Sequence, residues 1–315
     1  MTERHPWLHR YAILVAFCTF LLVIAGALVT GNDAGLSVPA WPTSAAGQQG
    51  LSSTGIFHMP AMVGDARFGH GHRLVAGFVG MLTIILAIWI WARISRHWVR
   101  WAALAAVLAV SAQALLGGVT VLRYLPVAIS TAHAALAQIF LCLASSLAFF
   151  TGANWRWEEA KQVDTSSPSL QHLSSVATGA ILVQSVLGAI YRHSRDASII
   201  PHIAAACVVT LLVGWIVAGV IRRFTAQPGL AKPALLLAGL LLSQLFLGAG
   251  SYLMRLAARN APQPLWAVAE ITTTHVAVGA ALLVTCLYVT FQTHRYLGVA
   301  RAGLQVASTA HEATT

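Results

Sequence analysis

The sequence predicts an all-α membrane protein: eight transmembrane helices, arranged as two tandem four-helix bundles with pseudo-twofold symmetry. Three observations carry this expectation. The 315 residues are 57% hydrophobic and only 9% charged. Their apolar residues gather into eight runs of roughly the ~20 residues that cross a bilayer core, a pattern for which a water-soluble fold has no use. The second four runs repeat features of the first. The four cysteines, Cys18, Cys142, Cys207 and Cys286, all fall inside these runs, which suggests neither a disulfide framework nor a thiolate metal site. The net charge of +10 then belongs to membrane topology rather than to a nucleic-acid partner.

In chain order the expected spans are 11–30, 72–92, 101–122, 127–150, 173–191, 199–221, 233–254 and 266–291. An even number of spans places both termini on one side. Of the 19 Lys and Arg residues, twelve fall at the termini and in the even-numbered loops and seven on the opposite side, so the termini read as cytoplasmic. Ten residues precede the first span, too few for a mitochondrial transit peptide. A bacterial cytoplasmic (inner) membrane is the expected location. Residues 1–153 make the N-terminal bundle, with a long outer loop at 31–71, rich in Gly, Ser, Pro and Ala, lying over it as a lid. Residues 154–171 are a cytoplasmic linker, 172–302 the C-terminal bundle, and 303–315 a polar tail expected to be disordered.

The repeat is visible in the odd-numbered spans. Ser111-Ala112-Gln113-Ala114-Leu115-Leu116-Gly117-Gly118 in span three is matched by Ser243-Gln244-Leu245-Phe246-Leu247-Gly248-Ala249 in span seven and by Gln184-Ser185-Val186-Leu187-Gly188-Ala189 in span five; span one echoes it weakly at Ile24-Ala25-Gly26-Ala27. Gln113 and Gln244 are 131 residues apart, His72 and His202 are 130, and His133 and His275 are 142. Small residues let membrane helices pack closely, which accounts for the glycines. It does not account for the matched histidines.

Of thirteen histidines, His5, His9, His97, His172, His294 and His311 fall in termini or cytoplasmic loops and read as solvated. His58, His70 and His193 are outer-side residues with no clear place on a helix. His72, His133, His202 and His275 differ: each begins or penetrates a span running from outside to inside, within roughly 15 Å of its helix start. An ionisable side chain at that depth is costly and marks a functional site. Neutral imidazole binds zinc, copper and haem iron alike. Zinc or copper would want three or more converging ligands, which division between two bundles opposes. Two histidines per four-helix bundle suit a porphyrin held by axial imidazoles. Its propionates would need cations, and Arg73, Arg123, Arg192, Arg195 and Arg255 stand at the outer rim against the positive-inside trend; singly, each also reads as interfacial snorkelling.

These features resemble the haem A synthase family (CtaA and its mitochondrial counterparts). Leu28-Val29-Thr30-Gly31 followed by Gly35-Leu36-Ser37-Val38-Pro39-Ala40-Trp41-Pro42 is similar to that family's first outer loop. His72-Arg73 matches its second span, Leu116-Gly117-Gly118-Val119-Thr120 and His133 its third and fourth, and Gly188 with His202 and Gly248 with His275 its second half. The chain departs from the family pattern in three places. The loop cysteines are replaced by Val38 and by Thr43 or Ser44, the loop aspartate by Ala40, and the glutamate three residues before the HR histidine by Gly69. Asp65 and Glu270 are the nearby carboxylates.

The resemblance implies oxidation of the C8 methyl of haem O to the formyl group of haem A by successive hydroxylations, in support of terminal oxidase biogenesis. His72 and His133 would be the catalytic pair, holding the substrate haem O in the first half. His202 and His275 would hold a resident haem B in the second, making all four iron ligands, with Arg73, Arg123, Arg192 and Arg255 binding propionates. Implied partners are haem O synthase, terminal oxidase assembly factors, membrane lipid and an electron donor that the sequence leaves open, and a homo-oligomer is compatible. Two alternatives stand beside the enzyme: a non-enzymatic b-type membrane cytochrome and a haem-carrying oxidase assembly factor. A transporter is disfavoured, because no pair of Gly/Pro-broken helices marks a substrate path at the midplane.

Overall fold

The computed structural model describes residues 5–38, 41, 64–152, 161–194, 196–262 and 264–299. Among them run eight α-helices: α1 (Pro6–Gly31), α2 (Ala66–Arg93), α3 (His97–Leu122), α4 (Val127–Thr151), α5 (Leu170–His193), α6 (Ile200–Arg223), α7 (Pro228–Ala257) and α8 (Trp266–Tyr296). A 3-10 turn at Ala34–Leu36 and two short strands, β1 (Gln162–Asp164) and β2 (Leu297–Val299), complete them. Each helix is long and apolar enough to cross a membrane, and the chain is a multi-pass membrane protein. Most of the expected lid, the core of the linker and the tail lie outside the described residues, as do His58, His311, Arg195, Ala40, Thr43 and Ser44.

The helices extend past the hydrophobic runs, because polar residues continue a helix wherever backbone hydrogen bonding remains available. α2 starts at Ala66 instead of residue 72, just after Gly64, whose φ of +60° turns the chain into it. This corrects the sequence reading of His70 and His193: both lie on helices, His70 near the start of α2 and His193 at the last residue of α5. The reading of His9 as solvated is also corrected, since its Nδ1 meets the Ala148 carbonyl at 3.0 Å. α6 and α7 open with proline in the first turn, where the missing N–H is not needed. Ser169 caps α5 by accepting from the His172 N–H at 3.3 Å.

In the first half α1 packs on α2 and α4, and α3 on α2 and α4; in the second α5 packs on α6 and α8, and α7 on α6 and α8. Each set of four thus closes into a ring around its own apolar core. One core includes Leu8, Leu86, Ile90 and Leu147, the other Ile216, Leu230, Leu237 and Leu283. The halves meet where α1 and α4 lie on α8 and where α4 lies on α5. At the end bearing the termini this seam is aromatic, with Phe149 stacked on Phe291 at 4.9 Å and edge-on to Tyr288 at 5.3 Å. Inside the second half, hydroxyls join α5 to α8: Ser174 to Thr293 at 3.0 Å and Thr178 to Thr290 at 2.9 Å. β1 pairs with β2 in parallel, tying the chain that enters the second half to the chain that leaves it. Beside the strands Asp164 is buried, accepting from the Leu170 N–H at 2.7 Å and the Ser166 N–H at 3.0 Å, and from the Ser166 hydroxyl.

Candidate functional site

The four spaced histidines come from α2, α4, α6 and α8, each three to ten residues inside its helix. Each imidazole finds the same partner, a glycine near the end of the preceding helix. An added methyl on Gly26 would stand 3.2 Å from His72 Cε1, on Gly117 3.1 Å from His133 Cε1, on Gly188 2.9 Å from His202 Cε1, and on Gly248 3.0 Å from His275 Cε1. Because odd and even helices run in opposite directions, the end of one and the start of the next share a membrane level. The missing side chain makes a slot into which the ring edge fits. Packing was the sequence reading of these glycines; the structure gives them this second role.

One turn before three of these glycines stands a glutamine. Gln113 Nε2 donates to the His133 carbonyl at 3.0 Å, and Gln184 Nε2 to the His202 carbonyl at 2.9 Å. Gln184 Nε2 also lies 3.4 Å from His202 Nε2, and Gln244 Nε2 lies 3.3 Å from His275 Nε2. The fourth copy of the position is Leu22. The signal for this arrangement was present in the sequence as the Gln-x-x-x-Gly spacing of the repeat.

Within the second half, the His202 and His275 rings have centroids 6.4 Å apart and planes 77° apart. An imidazole–metal bond is about 2 Å, so two imidazoles on opposite sides of one metal ion bring their ring centres roughly 6 Å apart. In the first half, His72 lies within electrostatic reach of His133. The Nδ1 atom of His72 is buried with no hydrogen-bond partner, while the rings of His133, His202 and His275 each face the backbone of the glutamine one turn before their slot glycine, Gln113, Gln184 and Gln244. Among the described residues no group of three or more His, Cys, Asp or Glu could hold a metal ion, so any metal here would be held by paired histidines and a group supplying the remaining ligands. The donor set and the ring separation fit a haem.

The rim arginines are not equivalent. Arg73 follows His72 and donates to the Val38 carbonyl at 2.6 Å, tying the first outer loop to α2. Arg192 stands near a like charge, Arg255, and near the carboxylate of Asp33 in the other half, and Arg255 lies 5.4 Å over the Tyr191 ring. Arg123 caps α3 in an exposed position. Arg73 and Arg192 are partly buried; like Arg255, they stand beside the histidine level.

The position of the missing glutamate has a structural account. A Cβ on Gly69 would stand 2.6 Å from Ser37 Oγ, because the turn that includes Ala34–Leu36 lies directly on that face of α2. Asp65 and Glu270 are exposed, so neither carboxylate stands in. His70, by contrast, is 1% exposed, and both its ring nitrogens are buried without a partner. Sequence reading missed it because it was placed before the helix. Trp41 packs its indole against Gly118, next to the Gly117 slot.

A family described as cytochrome oxidase assembly protein (COX15–CtaA) matches residues 66–204, an interval that holds His72, His133 and His202 and stops short of His275. The likeness to the haem A synthase family is thus borne out. Among curated proteins, the chain is similar to the heme A synthase of Roseobacter denitrificans, 35% identical over 144 residues covering 42% of this chain and 35% of that protein. It is also similar to the heme A synthase of Shouchella clausii, 34% identical over 116 residues covering 36% of this chain and 35% of that protein. The matches therefore span about a third of these relatives' length.

Proposed function

We propose that this protein is a haem A synthase, which oxidises the C8 methyl of haem O to a formyl group by successive hydroxylations in the service of terminal oxidase assembly. The observation that carries the proposal is the fourfold glycine slot, which presents one imidazole per helix pair at one membrane level. His72 and His133 would bind the substrate haem O, and His202 and His275 a resident haem B. In this reading residues 1–153 and 172–302 are two symmetry-related units with one site each, and the membrane is the bacterial inner membrane with both termini in the cytoplasm. The bound iron would supply the oxidation chemistry itself. The chain's own residues do the rest. The glycine slots fix where each ring edge sits. Arg73, Arg192 and Arg255, with Arg123 at the rim, would hold propionates and so orient the macrocycle. Trp41 and the turn docked by Arg73 would cover the first-half site from the outer side and limit water entry.

One observation favours a second reading, a haem-carrying b-type cytochrome or assembly factor. The face of α2 where the family places a glutamate is occupied by Ser37, so no carboxylate stands there. Expression with a haem O source, followed by pigment extraction and chromatography, separates the two. Haem A formed only with this chain supports the synthase. Haem B alone supports the cytochrome, bound but unoxidised haem O the carrier, and a colourless protein overturns haem binding altogether.

A further inference from the structure

At the membrane end that bears the termini, the start of α1 and the end of α2 leave a cleft of about 280 Å³ between them. His5, Pro6, Trp7 and Leu8 line one side, Trp89 and Arg93 the other. Its walls are held in place. Leu8 is fully buried, and Tyr11 packs on Trp89, with ring centroids 5.7 Å apart and its hydroxyl donating to the Leu82 carbonyl at 3.2 Å. Arg10 lies 4.9 Å over the Trp7 ring and adds a second cation beside the cleft. No acidic side chain lines the cleft, and among the described residues Arg93 meets no hydrogen-bond acceptor and no ion-pair partner. The internal repeat shows what this cation lacks. Arg93 closes α2 21 residues after His72, and Arg223 closes α6 21 residues after His202. In the second half the chain supplies the anion, because Arg223 stands 3.9 Å from the buried carboxylate of Asp164. In the first half no described carboxylate takes that part, and the cleft stands beside the cation instead. An arginine at a helix end ordinarily snorkels into the interface. A guanidinium between two indoles and an apolar floor, without its anion, suits an anionic amphiphile. From Trp7 the exposed side chains Leu14, Phe17 and Leu21 continue along one face of α1 at helical spacing, a track for acyl chains that a free phosphate would leave unused.

We propose that this cleft binds one anionic phospholipid, whose phosphodiester pairs with Arg93 in the part that Asp164 plays for Arg223 and whose chains lie along α1. The bound lipid ties the start of α1 to the end of α2. Arg93 is about 30 Å along α2 from His72, so the site stands whether or not the protein makes haem A.

The test is native mass spectrometry of the full-length protein, delipidated in detergent and titrated with dioleoyl phosphatidylglycerol. Wild type is expected to take up one phosphatidylglycerol in preference to dioleoyl phosphatidylcholine, and inorganic phosphate should not displace it. Arg93→Ala should bind phosphatidylglycerol about tenfold more weakly, the low end for loss of a hydrogen bond to a charged group. Arg222→Ala removes the same charge from an exposed position at the same membrane end and should bind as wild type does. Trp7→Ala removes one wall, leaves every charge in place and should also weaken binding; if Arg93→Ala fails to accumulate, this variant decides the matter. Wild-type affinity in Arg93→Ala and Trp7→Ala, or phosphatidylcholine bound as tightly as phosphatidylglycerol, overturns the inference. Displacement by inorganic phosphate alone marks a free-anion site and overturns the lipid assignment.

Discussion

Gly188→Ala is the most direct test of the slot. Its new methyl would stand 2.9 Å from His202 Cε1 and 3.3 Å from Nδ1. Carbon atoms in favourable contact are about 3.5–4.0 Å apart, so ring and helix must separate by about 0.6 Å or more. The ring cannot simply rotate away, because Gln184 stands 3.4 Å from its Nε2. Sites of this kind must be held to about 0.5 Å, so the displacement exceeds the tolerance for ligation. Overpacking of this size costs about 1–3 kcal/mol, which corresponds to about a fivefold to hundredfold weaker hold on the iron. The helix itself gains up to about 1 kcal/mol when glycine becomes alanine, so loss of haem should come without loss of fold. Gly179→Ala in the same helix, with nothing within 4 Å of its added methyl, is the control and should keep wild-type haem. The assay is haem per protein by pyridine haemochromogen together with the low-spin resonance of the purified protein. Gly188→Ala with full haem and an unchanged resonance would refute the reasoning, since a ring so displaced could not ligate as before.

Three further outcomes are expected. Gly69→Glu should not restore a family-like carboxylate site but expel the turn packed on α2, lowering the thermal midpoint by an amount equivalent to about 1–3 kcal/mol; an unchanged midpoint with gained activity would contradict the docking of Ser37. Asp164→Ala leaves the buried Leu170 N–H and the half-buried Ser166 N–H without their acceptor and should destabilise the second half by about 2 kcal/mol, read by thermal unfolding. Arg223, 3.9 Å from Asp164 and half exposed, contributes little to that loss, so Arg223→Ala should be nearly silent. Trp41→Ala should open the cover beside Gly118, so that limited proteolysis cuts the first outer loop sooner while the second-half haem signal stays the same.

The eight spans and their order were legible in the sequence because the length of an apolar run is a local property, and α1 to α8 each contain the run expected for them, save that α6 starts one residue into its run. The four histidines were legible for a related reason: an imidazole within an apolar segment stands out without any knowledge of its neighbours. Their ligand role and the pairing into a substrate and a resident site stay within the proposal. His70 was not legible, because two polar glycine-histidine steps before the apolar run look like loop until α2 is seen to begin at Ala66. The reason for Gly69 was hidden too, since a glycine says nothing about what lies against it. Hydrophobic length and residue type thus belong to the chain alone, and they determined a membrane protein with four imidazoles inside its apolar spans. Only the tertiary structure decided that each imidazole edge enters a glycine slot on the helix before it, that glutamine amides stand beside two of the rings, and that Ser37 fills the place of a glutamate. Those are contacts between segments far apart in sequence, set by antiparallel helices sharing one membrane level, and no local property of either segment specifies them.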